Sequence, residues 1–251
     1  MDKFFSCFGV NKPIVGMIHT KGISDEDVFK RAQQEIDIYL QNKVDAILVE
    51  PYFGNYRNVV QVLQYLKQLN HQICYGINCL NVDAMGFELA NEYSCRFIQL
   101  DSVVGHVKPR DEATLDAFFK LYRSRCDALV MGGVRFKYQP LLSQCSLEED
   151  LHTAMNRCDV ICVTEDKTGQ ETSMNKITQF RSSIGSFPLM VCAGANLQNI
   201  TQQLKVADGA VVGSYFKDNH QDSGDVDAQH VREFMQTVDY FRRGLKMEAA
   251  E

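Results

Sequence analysis

The chain has 251 residues, of which 45% are hydrophobic, and a formal net charge of −6. Its length and apolar content are enough for one large core, and its acidic balance argues against nucleic acid as a main partner. No apolar stretch approaches the roughly 18 residues that span a bilayer, and the N-terminus lacks the pattern of a signal or transit peptide. We therefore expect a soluble, cytoplasmic protein without membrane insertion.

Eight short apolar runs recur along the chain. They are continuous rather than alternating, as expected for parallel strands that are covered on both faces. In chain order they are PIVGMIH (13–19), DAILVEP (45–51), QICYGINCL (72–80), RFIQLD (96–101), DALVMGG (127–133), DVICVTE (159–165), PLMVCAG (188–194) and DGAVVGS (208–214).

Helical patterns separate these runs. Val28, Ala32, Ile36 and Leu40 recur at every fourth position, and similar apolar faces occupy 59–69 and 231–245. Helix starts are predicted from two capping boxes, Ser24 with Asp27 and Ser146 with Glu149, and from an N-cap at Asp111.

Eight strands that each precede a helix are typical of a (β/α)₈ TIM barrel, and the length fits that fold. We predict a single domain over 1–251, with the barrel over 12–246 and a loop over 218–227. An open doubly wound sheet shares the local pattern and is the alternative.

The nine cysteines are odd in number and include no CxxC pair. Several lie in strand-like runs, which favours buried free thiols in a reducing compartment and predicts that no disulfide forms. Because the spacing of zinc ligands is missing, we predict no metal site and no cofactor.

In a TIM barrel the functional residues follow the C-terminal ends of the strands. Polar side chains at those positions are the candidate catalytic residues, namely His19, Glu50, Asn78, Asp101, Lys137 and Glu165. The carboxylates could transfer protons, bind a metal, or serve only as strand ends and helix caps. Lys137 could form a Schiff base, hold a phosphate or pair with Glu165, and His19 could equally be a core residue.

Small residues follow the last two strands, where TIM barrels commonly bind phosphate through backbone N–H groups. The predicted phosphate-binding residues are Gly194, Ala195, Asn196, Gly213 and Ser214. We expect a helix to start at 194–196 and a turn at 213–214. The alternative is that the glycines only shape tight turns.

Motifs spread over seven of the eight strands resemble the BtpA family, from about Lys12 to Phe234. They are KPIVGMIH, VDAILVE, GINCLNVDA, FIQLDSVVG, VTEDKTG and ADGAVVGSYFK with a following VDAQHV. The resemblance implies the (β/α)₈ fold, whereas activities within the family are assigned by analogy to sugar-phosphate or nucleoside enzymes. The matching positions are His19, Glu50, Asn78, Asp83, Lys137, Thr164, Gly169, Gly194, Asn199, Asp208, Gly209, Gly213, Lys217 and Asp227.

The chain departs from the family pattern at several positions near the expected barrel mouth. The family's proline-glycine after the strand-1 histidine is Thr20-Lys21-Gly22 here. The other departures are Pro51, Gly133, Tyr138 and Glu165. These changes imply a shifted substrate or a lost activity.

The sequence thus predicts an enzyme acting on a phosphorylated small molecule, such as a sugar phosphate or a nucleotide, by lyase, isomerase or nucleosidase-like hydrolase chemistry. In this interpretation Glu50, Asp101 and Glu165 handle protons, while Lys137 and His19 stabilise negative charge. The alternative is a non-catalytic assembly or regulatory factor that keeps a ligand pocket. Whether the chain forms a homo-oligomer stays open.

Overall fold

Eight apolar segments form parallel strands that close into a barrel in chain order. The computed structural model describes residues 3–69, 73–104, 111–141 and 144–248. The strands are β1 (Ile14–His19), β2 (Ala46–Glu50), β3 (Cys74–Asn78), β4 (Phe97–Leu100), β5 (Leu129–Gly133), β6 (Val160–Val163), β7 (Leu189–Val191) and β8 (Gly209–Val212). Because β8 pairs with β1, with Ala210 opposite Ile14, the sheet has no free edge. The predicted TIM barrel is confirmed, and the open sheet is wrong.

The helix α1 precedes the first strand, and the other helices follow the strands and cover the barrel. They are α1 (Lys3–Phe8), α2 (Asp25–Gln41), α3 (Tyr56–Gln68), α4 (Asp83–Tyr93), α5 (Glu112–Arg123), α6 (Leu147–Met155), α7 (Met174–Ile184), α8 (Ile200–Val206) and α9 (Ala228–Glu248). The Ser146–Glu149 capping box forms in both directions, and Asp111 caps α5. The predicted Ser24–Asp27 capping box forms only in part: Ser24 accepts a hydrogen bond from the Asp27 amide, whereas the Asp27 carboxylate accepts from the Ile23 amide.

The core has two layers because strand residues alternate between the barrel interior and the surrounding helices. Met17, Leu48, Met131 and Met190 belong to the interior cluster. Their neighbours in sequence, such as Ile18 and Val191, pack in the cluster between strands and helices. Both faces of the strands are buried, which explains why the strand sequences are continuous apolar runs.

The first helix, α1, packs against the interior cluster at its Phe4 and Phe8 side chains. The Phe8 ring lies 5.4 Å from the Phe97 ring, measured between centroids. The sequence pattern gave no reason to predict this helix, because six residues are too few to show helical periodicity. Its position leaves the C-terminal ends of the strands as the open face.

No disulfide joins any two of the nine cysteines, and six of them are buried. Within the described ranges, no helix combines the length and the apolar character needed to cross a membrane. No cluster of three or more His, Cys, Asp or Glu side chains suitable for a metal ion occurs in the same ranges.

Candidate functional site

Strand register brings polar side chains together at the C-terminal face of the barrel. His19 at the end of β1 lies directly opposite Glu50 at the end of β2. Asn78 at the end of β3 lies opposite Gln99 on β4. Because parallel strands end at the same face, these four buried residues share one side of the molecule.

A cavity of about 160 Å³ opens at this face, on the side of β7 and β8. Glu50, Lys137 and His19 form part of its wall, as do Gly194, Ala195, Asn196, Gly213 and Ser214. The structure therefore places three predicted catalytic residues and all five predicted phosphate-binding residues around one space. This convergence is what proton transfer to a bound phosphorylated compound requires.

His19 is uncharged at neutral pH, and Glu50 keeps its proton up to about pH 7. Burial raises the pKa of Glu50 to about 7, and the charge of Asp101 adds to this effect while Lys137 opposes it. Burial is the main cause that lowers the pKa of His19 to about 3, and the Lys217 and Lys137 cations contribute to the same shift. The 3.5 Å contact between His19 Nε2 and Glu50 Oε2 is therefore not an ion pair at neutral pH.

The tautomer of His19 follows from its second nitrogen. Nδ1 lies 3.3 Å from the Asp222 carbonyl oxygen, which can only accept, so we assign the ring proton to Nδ1. Nε2 is then an acceptor that faces Glu50, and His19 cannot donate a hydrogen bond from that atom to a developing negative charge. The predicted role of His19 as a stabiliser of negative charge is therefore not supported by this geometry.

We expect the buried Glu50 carboxyl to make the protein less stable as pH rises. Its pKa is about 7 in the folded state, against 4.5 in its ordinary state, so the folded protein holds the proton over this window. The stabilisation that the Glu50 carboxyl contributes is fully present below pH 4.5 and is lost as pH rises through about 7. Glu50→Gln should therefore raise the free energy of unfolding above that of the wild type, and this gain should be about 1–3 kcal/mol larger at pH 8.5 than at pH 5.

Urea unfolding of the wild type and Glu50→Gln at pH 5, 7 and 8.5 measures this difference. Glu148→Gln, an exposed position on α6, is the control and should show no such trend. A Glu50→Gln effect that is the same at all three pH values would contradict the raised pKa.

Asn78 and Asp101, two of the predicted catalytic residues, are hydrogen-bonded to each other and are not among the residues that line the cavity. Asn78 Nδ2 donates to Asp101 Oδ1 at 2.9 Å and to Gln99 Oε1 at 3.1 Å. Asn78 is almost fully buried and reaches the cavity only through Gln99, which does line it. Burial raises the pKa of Asp101, and the Asn78 hydrogen bond and the Lys137 cation oppose the rise.

Lys137 lines the cavity, and its Nζ lies over the Phe136 ring, 5.7 Å from the ring centroid. Its backbone amide donates to Thr164 Oγ1 at 2.7 Å, which fixes the start of the loop after β5. Among the described residues, no carboxylate oxygen lies within 4.0 Å of its Nζ, so the predicted pair with Glu165 does not form. The Lys137 cation is thus available to a bound anion or carbonyl group.

Residues of the loops after β7 and β8 line one side of the cavity. The amides of Gly194, Ala195, Gly213 and Ser214 donate no hydrogen bond within the described part of the chain. Gly194 has a φ of +68°, and a Cβ there would lie 2.2 Å from the Gln170 carbonyl oxygen, so only glycine fits this turn. Gly213 has a φ of −114°, which ordinary residues adopt.

The predicted helix start at 194–196 is wrong, because α8 begins only at Ile200. The Asn199 side chain accepts from the Asn196 amide at 2.8 Å and donates to the Gly194 carbonyl at 2.9 Å. These bonds hold 194–199 as a loop. They also occupy the Asn196 amide, so this residue lines the cavity but offers no free backbone donor.

Glu165 lies outside the cavity and belongs to a separate surface depression with Arg135, Tyr138 and Lys176. Its Oε2 accepts from the Ser173 amide at 3.2 Å, next to the start of α7. The strand β6 ends at Val163, and the buried Thr164 takes the position next to Lys137. The expectation that Glu165 shares a site with Glu50 and Lys137 is therefore not met.

Two departures from the family pattern have a structural explanation. At Gly133 a Cβ would lie 2.2 Å from the Asp101 carbonyl oxygen, so an aspartate does not fit this backbone. Lys21 Nζ donates to the carbonyls of Ser223 at 2.5 Å and Gly224 at 2.8 Å and to Asp225. These bonds hold the loop 218–227 against Lys21. The carbonyl of Asp222, in the same loop, contacts His19.

Four polar or aromatic residues that line the cavity were missed as site candidates, namely Gln99, Thr168, Tyr215 and His220, and Gly169, which also lines it, was named only as a family match. Gln99 could have been found, because it is a polar residue inside the apolar run of β4. His220 carried no signal, since it lies in a loop where most residues are polar.

Comparison with known proteins gives a family and a fold. A family model described as BtpA family matches residues 10–240. The photosystem I biogenesis protein BtpA of Synechocystis is 22% identical over 98% of this chain and 94% of its own length.

Two solved structures, both under 25% identical, share the fold. Thiamine phosphate pyrophosphorylase from Pyrococcus furiosus has 12% identity and a TM-score of 0.60, covering 92% of this chain and 96% of its own. Phosphoribosyl anthranilate isomerase from Thermus thermophilus has 9% identity and a TM-score of 0.60, covering 91% and 98%.

Proposed function

The chain belongs to the BtpA family, and we propose that it is an enzyme that transfers a proton on a phosphorylated small molecule. The observation that carries this proposal is the position of Glu50. Its buried Oε2 has no hydrogen-bond partner among the described residues and shares a cavity with the free amides of Gly213 and Ser214.

Glu50 has the properties of a general acid–base. A carboxyl group with a pKa of about 7 holds and releases a proton with similar ease at neutral pH. Lys137, on the same cavity wall, supplies positive charge for an oxygen that becomes negative when a neighbouring carbon loses its proton. This combination favours isomerase or lyase chemistry, with nucleosidase-like hydrolysis as a less direct fit.

The phosphate is proposed to bind between Gly194-Ala195 and Gly213-Ser214. Four free backbone amides offer hydrogen bonds to its oxygens without requiring a cluster of basic side chains. The names of two proteins that share the fold, thiamine phosphate pyrophosphorylase and phosphoribosyl anthranilate isomerase, refer to phosphorylated compounds. This analogy agrees with the proposal, but the proposal is argued from the residues of this chain and not from the two neighbours.

A non-catalytic role is the second candidate, and one observation favours it. The Tyr52 ring packs 5.1 Å from the His19 ring, and Phe53 packs on Tyr52 at 4.9 Å. These rings cover the β1–β2 side of the barrel mouth. A relative is named as a photosystem I biogenesis protein, so a ligand-binding assembly factor is the form that this alternative takes.

Thermal unfolding with a panel of phosphorylated metabolites and their dephosphorylated forms tests the proposal. We expect a phosphorylated compound to raise the unfolding temperature, while its dephosphorylated form does not. Incubation of that compound with the protein in D₂O should then exchange a carbon-bound proton, visible by NMR, and Glu50→Gln should abolish the exchange. Stabilisation without exchange or product would favour the non-catalytic role, and no stabilisation would contradict phosphate binding.

A further inference from the structure

We infer that Cys7 and Cys74 form a thiol pair at the N-terminal face of the barrel, which closes to a disulfide when a peroxide oxidises it. Cys7 lies on α1 and Cys74 is the first residue of β3, so the bond would join the N-terminal helix to the sheet. The pair lies at the opposite end of the strands from the Glu50 cavity, and the inference does not depend on the proposed function.

The backbone around β3 and β4 brings the two thiols together. Cys7 Sγ donates to the Arg96 carbonyl oxygen at 3.5 Å. The Arg96 amide in turn donates, at 2.8 Å, to the carbonyl of Tyr75, which is the residue after Cys74. Both cysteines pack against the cluster that fills the barrel interior. The Cys74 thiol donates a hydrogen bond to the Cys7 sulfur, so the two sulfurs are neighbours before any covalent bond forms.

The surroundings of Cys7 favour its thiolate. Arg96 Nη2 donates to the carbonyl of Ser6 at 2.9 Å, which places the guanidinium beside the neighbouring Cys7. The Cys74 hydrogen bond is the main cause that lowers the pKa of Cys7, and the Arg96 and Lys3 cations add to it while burial opposes it. Because a thiolate is the form that a peroxide oxidises, Cys7 is the cysteine of the pair that reacts first.

Cys74 has the properties of the second thiol in such a pair. Its hydrogen bond to Cys7 and its burial raise its pKa, so Cys74 keeps its proton while Cys7 is oxidised. A protonated neighbour does not compete with Cys7 for the peroxide, but it lies in position to react with the oxidised sulfur.

A peroxide can reach Cys7 from solvent. Cys7 and Cys74 are half-buried, whereas six of the other cysteines are buried. Cys7 also lines a depression of the N-terminal face, whose other charged and thiol side chains are Lys3, Cys95, Arg96 and Asp127. Cys95 is 6% exposed, and burial raises its pKa, so we expect this third thiol to react slowly.

The reaction removes two electrons from the thiol pair. The Cys7 thiolate attacks one oxygen of hydrogen peroxide, the O–O bond breaks, hydroxide leaves and Cys7 becomes a sulfenic acid. Cys74 then loses its proton and attacks the Cys7 sulfur, the S–O bond breaks and water leaves. One peroxide is reduced to two molecules of water for each disulfide that forms.

Mass spectrometry of non-reduced peptides tests the inference. The folded protein is treated with a small excess of hydrogen peroxide, the remaining thiols are blocked with N-ethylmaleimide, and the digest is compared before and after reduction. We expect a Cys7–Cys74 peptide as the main disulfide product, and we expect it to disappear on reduction. Cys74→Ser should abolish it and leave a sulfenic acid on Cys7 that dimedone traps. Cys95→Ser, which removes the third thiol of the depression, is the matched control and should leave the product unchanged.

A second measurement tests the role of the Arg96 cation. The rate at which iodoacetamide alkylates Cys7 in the folded protein at pH 7 should fall by about 3-fold or more in Arg96→Gln, because less of the thiol is ionised. Lys205→Gln, at an exposed position on α8, is the control and should leave the rate unchanged. Peroxide treatment that yields no Cys7–Cys74 disulfide in the wild type, or that joins Cys7 mainly to another cysteine, would overturn the inference.

Discussion

Gly213→Val is expected to weaken binding of phosphorylated ligands by about 100-fold, equivalent to about 3 kcal/mol, with little effect on their dephosphorylated forms. A Cβ at this position would point towards Met17 Cγ, at 3.3 Å, and His19 Cε1, at 3.5 Å, both of which line the cavity. The branched side chain would therefore occupy space beside the amides of Gly213 and Ser214. Titration of both ligand types against both proteins measures the difference.

Gly213 has a φ of −114° and a ψ of −85°, so valine needs no left-handed conformation here, and thermal unfolding of Gly213→Val without ligand checks that the fold is kept. The tighter of the two contacts is with a flexible methionine side chain, which can move by a few tenths of an ångström. Gly244→Val is the control, since a Cβ at Gly244 on α9 meets no atom within 4 Å. Equal losses for phosphorylated and unphosphorylated ligands would mean that Gly213 only shapes the turn.

Lys217→Met is expected to destabilise the protein by about 3–5 kcal/mol at pH 8. Lys217 is 1% exposed, and its Nζ donates to Glu35 Oε1 at 2.8 Å, which joins the segment after β8 to α2. Burial raises the pKa of Glu35, and the Lys217 cation is the main opposing effect. Removing the cation leaves a buried carboxylate without compensation.

The loss should shrink as pH falls, because Glu35 then takes up a proton and no longer carries an uncompensated charge. Urea unfolding at pH 5 and pH 8 measures both values. Lys217→Met combined with Glu35→Gln should recover part of the stability, and Lys205→Met, at an exposed position on α8, should cost little. A loss below about 1 kcal/mol for Lys217→Met at pH 8 would rule out this buried pair as a major contributor.

The barrel could be predicted from the sequence because strands that are buried on both faces are apolar at successive positions. Runs such as AILVE in β2 and GAVV in β8 are apolar at every position, and their regular spacing leaves room for one helix each. Helix starts were predictable where a side chain caps the helix, as at Ser146. The start of α8 was not, because the Asn199 side chain binds the loop before it and makes no cap bond.

The sequence predicted only those cavity residues that lie at the end of a strand or in the loop that follows it. His19, Glu50 and Lys137 follow strands and reach one cavity, so the general rule for barrels located them. Glu165 satisfies the same rule, but its Oε2 accepts from the Ser173 amide beside α7 and the residue lies outside the cavity. Gln99 and His220 reach the cavity from inside a strand and from a long loop, positions that depend on the closed tertiary structure.

Diffraction from a crystal soaked in sulfate or phosphate tests the phosphate site most directly. We expect tetrahedral density between Gly194-Ala195 and Gly213-Ser214, with the four backbone amides at about 2.7–3.2 Å from its oxygens. The same soak with Gly213→Val should show no such density. An empty cavity in the wild-type crystal, or an anion bound elsewhere on the barrel face, would contradict a phosphate site at the β7 and β8 loops.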